Sequence, residues 1–186
     1  MQTWTTLVFL LLAACCSRAQ TTVTEPAPPG LAFLFSCNVT LGLSIKTGTG
    51  LKNTTRAVFP IGGGQAIGPK ISGKILVVGA DWAAYGTMFD GTNVGENGKA
   101  PNTTSYFETD ARFQLVTLDG ANVLVHTRGQ TAPDSGGNAV HVHASFSTVH
   151  HDYAWLNDVA SVGILRTNND GYQVDLWRLT TPDAKN

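Results

Sequence analysis

The chain has 186 residues, with 12 Lys and Arg against 13 Asp and Glu, a formal net charge of −1. That length suits one domain around one core. The charge balance excludes nucleic acid and an anionic membrane surface as partners, because both need clustered Lys and Arg. A content of 20 Gly and 8 Pro argues against long helices.

The chain opens on an apolar run, Leu7 to Cys16, followed by Ser17-Arg18-Ala19. The run is too short to span a bilayer. Ser17 and Ala19 put small residues at the two positions a signal peptidase reads. Residues 1–19 are therefore expected to be a signal peptide that directs the chain into the secretory pathway. Leu12-Ala13-Ala14-Cys15 also fits a bacterial lipoprotein signal that would lipidate Cys15. Three sequons, at Asn38, Asn53 and Asn102, favour the eukaryotic secretory route and glycosylation at those sites. Residues 20–30, ending Glu25-Pro26-Ala27-Pro28-Pro29-Gly30, read as an extended leader. After cleavage Cys37 is the one remaining cysteine, so no internal disulfide forms. It reads as a small buried hydrophobe, with a catalytic thiol as the sharper alternative. If Asn38 faces outward on a strand, period-two alternation turns Cys37, Phe35 and Phe33 inward.

From there the pattern is short and β-like. Candidate strands are Leu31–Val39, Arg56–Pro60, Lys70–Val78, Tyr106–Leu118, Asn122–Thr127, Val140–Thr148, Val159–Arg166 and Tyr172–Leu179. Leu118-Asp119-Gly120-Ala121 and Asn168-Asn169-Asp170-Gly171 are hairpin signals. Gly62-Gly63-Gly64 and Ser135-Gly136-Gly137 read as loops, and residues 86–105 as a long polar loop or lid. The expected fold is all-β, one small antiparallel barrel of lipocalin or calycin type over residues 31–180. Small barrels with exposed edges often dimerise, so a homodimer is a candidate assembly. No second apolar stretch is long enough to cross a membrane.

Several groups could carry chemistry. Asp81 follows the apolar run Ile75-Leu76-Val77-Val78 and adjoins Trp82. Burial beside an indole would raise its pKa and suit it to proton transfer; a turn-capping Asp beside a core Trp fits equally well. On Tyr106–Leu118, alternation places Glu108, Asp110, Arg112 and Gln114 on one face and Ala111, Phe113 and Leu115 on the other. The polar face is either solvated or a polar lumen. In a lumen, Asp110 could orient Arg112 towards a developing oxyanion. Tyr153, Trp155 and Asn157 alternate onto one face and could line a pocket for a flat ligand. His141, His143, His150 and His151, with His126 from a neighbouring strand, could hold a metal, but match no specific spacing rule. Solvent-facing histidines are the simpler reading, and no metal is expected. Gly62-Gly63-Gly64-Gln65 is no phosphate cradle, since no Gly-Lys-Ser/Thr follows. No serine sits in a nucleophile elbow.

Four segments in register carry a resemblance. They are Ile61-Gly62-Gly63-Gly64 with Ile67-Gly68-Pro69-Lys70-Ile71-Ser72-Gly73; Gly79-Ala80-Asp81-Trp82; Asp110-Ala111-Arg112-Phe113 with Thr117-Leu118-Asp119-Gly120-Ala121; and Tyr153-Ala154-Trp155-Leu156-Asn157 with Val162-Gly163. They resemble the DUF3237 family, also called UPF0311, from about Leu31 to Leu179. Lys70 stands where arginine is commoner, and a secretory leader is not general in the family. The resemblance implies a small antiparallel barrel with a pocket at one end. Some fungal members act in polyketide pathways as cofactor-free cyclases that add a hydroxyl across an activated alkene. It implies Asp81 as acid and base and Arg112 as oxyanion partner, with Trp82, Tyr85, Asp110, Tyr153, Trp155 and Asn157 around a small aromatic substrate. No cofactor is implied. The alternative is a non-catalytic secreted barrel that carries a small apolar ligand.

Overall fold

The computed structural model describes residues 25–49, 54–89, 103–132, 135 and 139–182. Nine strands make one antiparallel sheet: β1 (Gly30–Leu41), β2 (Ile45–Thr49), β3 (Thr54–Ile67), β4 (Ser72–Phe89), β5 (Thr103–Thr117), β6 (Asn122–Thr131), β7 (Val140–Ser147), β8 (Ser161–Asn168) and β9 (Gly171–Thr180). Their order is β1-β9-β8-β7-β6-β5-β4-β3-β2, and β1 also pairs with β3. That extra pairing closes eight strands into a barrel and leaves β2 as an added strand on β3. Closure removes the open edges that invite aggregation.

Alternation explains the wall. β7, Val-His-Val-His-Ala-Ser-Phe-Ser, is buried at every other residue from Val140 to Phe146. β9 turns Tyr172, Val174 and Leu176 inward, and β5 turns Thr109, Ala111, Phe113 and Leu115 inward. At one end of the barrel lie the β5–β6 hairpin, a 3-10 helix (His151–Asp158) between β7 and β8, and the start of β1. Leu156 projects from that helix into the core and is fully buried. Phe35, Phe113, Leu115, Val123, Phe146 and Leu176 belong to the same cluster. Each such side chain contributes about 1.5–3 kcal/mol by leaving water, so Phe113→Ala would cost about 3–5 kcal/mol. At the opposite end lie the β1–β2 and β8–β9 turns.

Several expectations change. Gly62-Gly63-Gly64 is not a loop but the middle of β3, where a bulge falls between Pro60 and Gly64. A Cβ on Gly64 would sit 2.0 Å from the Asn38 carbonyl oxygen, so the glycines serve close packing of β3 on β1 rather than a turn. Phe33 faces outward, because the β1–β9 register shifts between Phe33 and Phe35; it packs edge-on against Trp177 with ring centroids 5.8 Å apart. Asn38 does face out, with Cys37 and Phe35 buried. Ile75-Leu76-Val77-Val78 is not a plain buried run: the β4–β5 register shifts between Ile75 and Gly79, which leaves Val77 and Val78 exposed. β4 then continues through Asp81 to Phe89, so Asp81 lies mid-strand rather than beyond the candidate strand Lys70–Val78. Tyr153, Trp155 and Asn157 belong to the 3-10 helix rather than to a strand face. β2 had no expected counterpart.

The expected signal peptide, residues 20–24 of the leader, Asn53, Asn102 and positions 90–102 of the expected long loop lie outside the described residues. Among the described residues no helix is long and apolar enough to cross a membrane.

Candidate functional site

Asp81 faces the barrel lumen from β4 and has no solvent exposure. The β4–β5 register runs from Asp81 opposite Ala111 to Ala84 opposite Glu108 and gives Trp82 and Ala83 no partners on β5. The carboxylate occupies that gap. Its Oδ1 accepts the backbone N–H of Asp110 at 2.9 Å, and its Oδ2 accepts the Thr109 hydroxyl at 2.8 Å. Burial pushes the Asp81 pKa up to about 6, although both hydrogen bonds pull it down; the nearby Asp110 charge adds a further upward push. A carboxyl poised there is largely ionised at neutral pH yet keeps an acid form within reach, as proton shuttling needs.

Two further polar side chains of this lumen stand out. Tyr172 enters from β9 and Thr127 from β6, and both are buried. Among the described residues the Tyr172 hydroxyl and Thr127 Oγ1 have no hydrogen-bond partner. Burial, the Asp81 charge and the neighbouring Cys37 hold the Tyr172 phenol well above its ordinary pKa, so it stays protonated. Burial likewise pushes the Cys37 thiol far up, which fits an inert core cysteine and not a nucleophile. Thr109, Thr127 and Tyr172 were not singled out from sequence. Their signal was present: each falls in the inward phase of a strand whose other inward residues are apolar.

Arg112 does not join this group. It is exposed on the outer face of β5, while Ala111 and Phe113 face the lumen, so Asp81 and Arg112 point to opposite sides of the wall. Glu108, Asp110 and Gln114 share that outer face. The physical reason is phase: the apolar residues of β5 take the core, and the polar alternates are left to water. Asp110 is bonded to His126 Nε2 at 2.8 Å rather than to Arg112. Glu108 accepts the Tyr106 hydroxyl at 2.9 Å. Trp82 is half-exposed on the outside, and Tyr85 is half-buried with its ring 6.4 Å from that of Phe59.

The remaining expected residues cluster at the helix end. The Tyr153 hydroxyl donates to Asp119 at 3.0 Å. Asn157 clamps the helix to the end of β7, accepting the Thr148 N–H and donating to the Thr148 carbonyl, both at 2.9 Å. Trp155 lies under the Lys70 ammonium, 5.9 Å from the ring centroid. Lys70, Trp155, Phe33, Pro69 and Arg178 line a surface cleft of about 340 Å³. His141 and His143 lie on the outer face of β7, whereas His150, His151 and Asp152 bring ligand-capable atoms within 4.8 Å of one another. The five histidines therefore form no single set, and a carboxylate does accompany two of them.

A family model described as a protein of unknown function, DUF3237, matches residues 29–179. The chain belongs to this family. As a DUF3237 member it is 29% identical over 155 residues to a hydroalkoxylation enzyme of Penicillium herquei, spanning 83% of this chain and 87% of that protein. Its barrel is similar to a β-barrel-like protein from Acinetobacter baumannii, with TM-score 0.65 and 24% identity over 85% of this chain and 100% of that one. It is also similar to the crystal structure of an enzyme from Penicillium herquei, with TM-score 0.59 and 25% identity over 84% and 98% of the two chains. The closed DUF3237 barrel is therefore a shared fold, and one relative with that barrel is an enzyme.

Proposed function

We propose that this chain is a cofactor-independent cyclase that closes an oxygen ring by intramolecular hydroalkoxylation of an aromatic, polyketide-like intermediate. The observation that carries the reading is Asp81, a buried lumen carboxyl with a pKa of about 6, in a chain related to a hydroalkoxylation enzyme. Adding O–H across C=C needs one group that takes the hydroxyl proton and returns a proton to carbon, and Asp81 can do both. Apolar walls hold the reacting groups together and strengthen each electrostatic contact. Arg112, on the outer face, has no part in this step.

The reaction takes place in the secretory pathway, with Asn38 exposed on β1 as a glycan acceptor. Loss of a mobility shift in the secreted Asn38→Gln protein checks that part. Deletion of the gene, followed by metabolite profiling, tests the reaction. The expected result is loss of one cyclised product and gain of its uncyclised precursor, reproduced by folded Asp81→Asn. An unchanged profile would leave the second reading, a non-catalytic ligand carrier. An apolar surface cleft of about 380 Å³ lined by Leu31, Val162, Ile164 and Trp177 favours that alternative.

A further inference from the structure

Tyr172 and Thr127 pose a problem that the cyclase reading leaves open. Each is buried, and each carries a hydroxyl with no partner among the described residues. Leaving such a group unpaired is destabilising, and phenylalanine or valine would avoid the cost at nearly the same volume. The two residues reach the lumen from β9 and β6, while Asp81 reaches it from β4; in the closed order none of these strands neighbours another. Three polar groups thus approach one lumen from three sides. Between Asp81 and Thr127 in the wall lies Ala111, which pairs with both, and Ala144 lies on the far side of Thr127. Small side chains therefore line the wall beside both polar groups.

We propose that the Tyr172 hydroxyl donates a hydrogen bond to the substrate's carbonyl oxygen, so that the substrate is an α,β-unsaturated carbonyl compound bearing an internal hydroxyl. This rests on the hydroalkoxylation reading and specifies what activates the alkene. The chemistry divides cleanly. Asp81 takes the hydroxyl proton as that oxygen attacks the β-carbon. A C–O bond forms, the C=C π bond breaks, and its electron pair moves onto the carbonyl oxygen. Tyr172, which stays a neutral phenol, donates to that oxygen as its charge grows. Asp81 then returns the proton to the α-carbon. One proton has moved from oxygen to carbon, and nothing is oxidised or reduced. Thr127 supplies a second polar contact for the same ligand. The role expected of Arg112 falls to a residue that faces the lumen.

The experiment uses 2′-hydroxychalcone, which has an enone and a phenol and closes to flavanone. Ring closure is measured with the parent chain, Tyr172→Phe, Thr127→Val and Asp81→Asn. In parallel, infrared difference spectra follow the carbonyl stretch of bound ¹³C-labelled flavanone. The expected result is a fall in kcat of about 100-fold in Tyr172→Phe with little change in KM. The bound carbonyl stretch, lowered in the parent, should return towards its free value in Tyr172→Phe but not in Thr127→Val. Ring closure that Asp81→Asn abolishes and Tyr172→Phe leaves intact would overturn the inference while the cyclase reading stands. A carbonyl shift lost in Tyr172→Phe, with no ring closure by the parent, would keep the carbonyl site and remove the cyclase. Flavanone that fails to bind, or binds with an unshifted carbonyl, overturns the inference. Should Tyr172→Phe not fold, 3-fluorotyrosine placed at 172, a stronger donor, must deepen the shift.

Discussion

Thr109 donates its hydroxyl to Asp81 Oδ2 at 2.8 Å, a bond between β5 and β4 in which neither side chain meets solvent. It holds the ionised form of a carboxyl that burial otherwise drives towards neutrality. The two opposing influences decide how the protein responds to pH.

Asp81 has a folded pKa of about 6, against roughly 3.9 for an unfolded aspartate. Its folded pKa is raised, so the native state binds the proton more tightly. The associated stability is fully present below about pH 3.9 and is lost as pH rises through 6, a change of about 3 kcal/mol. Urea denaturation of the parent and Asp81→Asn at pH 4 and pH 7 checks this. The difference between them should shift by about 2 kcal/mol in favour of the variant at pH 7, because part of the loss has already occurred at pH 4, and an unchanged difference would refute it.

Thr109→Val removes a bond that lowers the Asp81 pKa. The ascending limb of the pH–rate profile should move to higher pH, and stability should fall by about 1 kcal/mol. A profile that stays in place would mean that Asp81 is not the group titrating in turnover.

Arg112→Ala removes an exposed side chain from the outer face of β5. Stability should change by less than about 0.5 kcal/mol, and ring closure should keep the parent rate. A large loss of rate would show that the reaction runs on the outer face.

Gly79 adopts φ +101°, and a Cβ there would lie 2.0 Å from the Arg112 carbonyl oxygen. Gly79→Ala should therefore cost about 2–3 kcal/mol from backbone strain and the clash together. A thermal melt measures it, and a melting point within a degree of the parent would show that the β4 bulge yields easily.

Much of the fold is legible in the sequence, and the departures from it have more than one cause. Val140–Ser147 reads correctly because its alternation is uninterrupted, and the hairpin at Asp119-Gly120 follows from turn chemistry. Asp81 was readable as a buried acid because an apolar run leads into it. Bulges are silent in a sequence, however. One after Phe33 turned that ring outward, and one before Gly79 exposed Val77 and Val78. Arg112 lies outside for another reason: in a sequence, a polar strand face looks the same whether it meets water or a lumen. The opposite face, Ala111, Phe113 and Leu115, already had the composition of a core. For Tyr172 and Thr127 the inward phase is readable, but nothing in their local sequence separates an orphaned hydroxyl from a satisfied one.

The strand that seals the barrel is also the earliest. β1 pairs with β9 from Gly30 opposite Thr180 to Thr40 opposite Gly171, and with β3 on its other edge. During synthesis β1 can bind β3 at once, yet its second edge must wait until β9 has left the ribosome. The chain therefore carries a half-paired strand through translation, and ring closure of the polypeptide comes last. Such distant pairing slows folding, because the whole intervening chain must be ordered before β1 and β9 can meet.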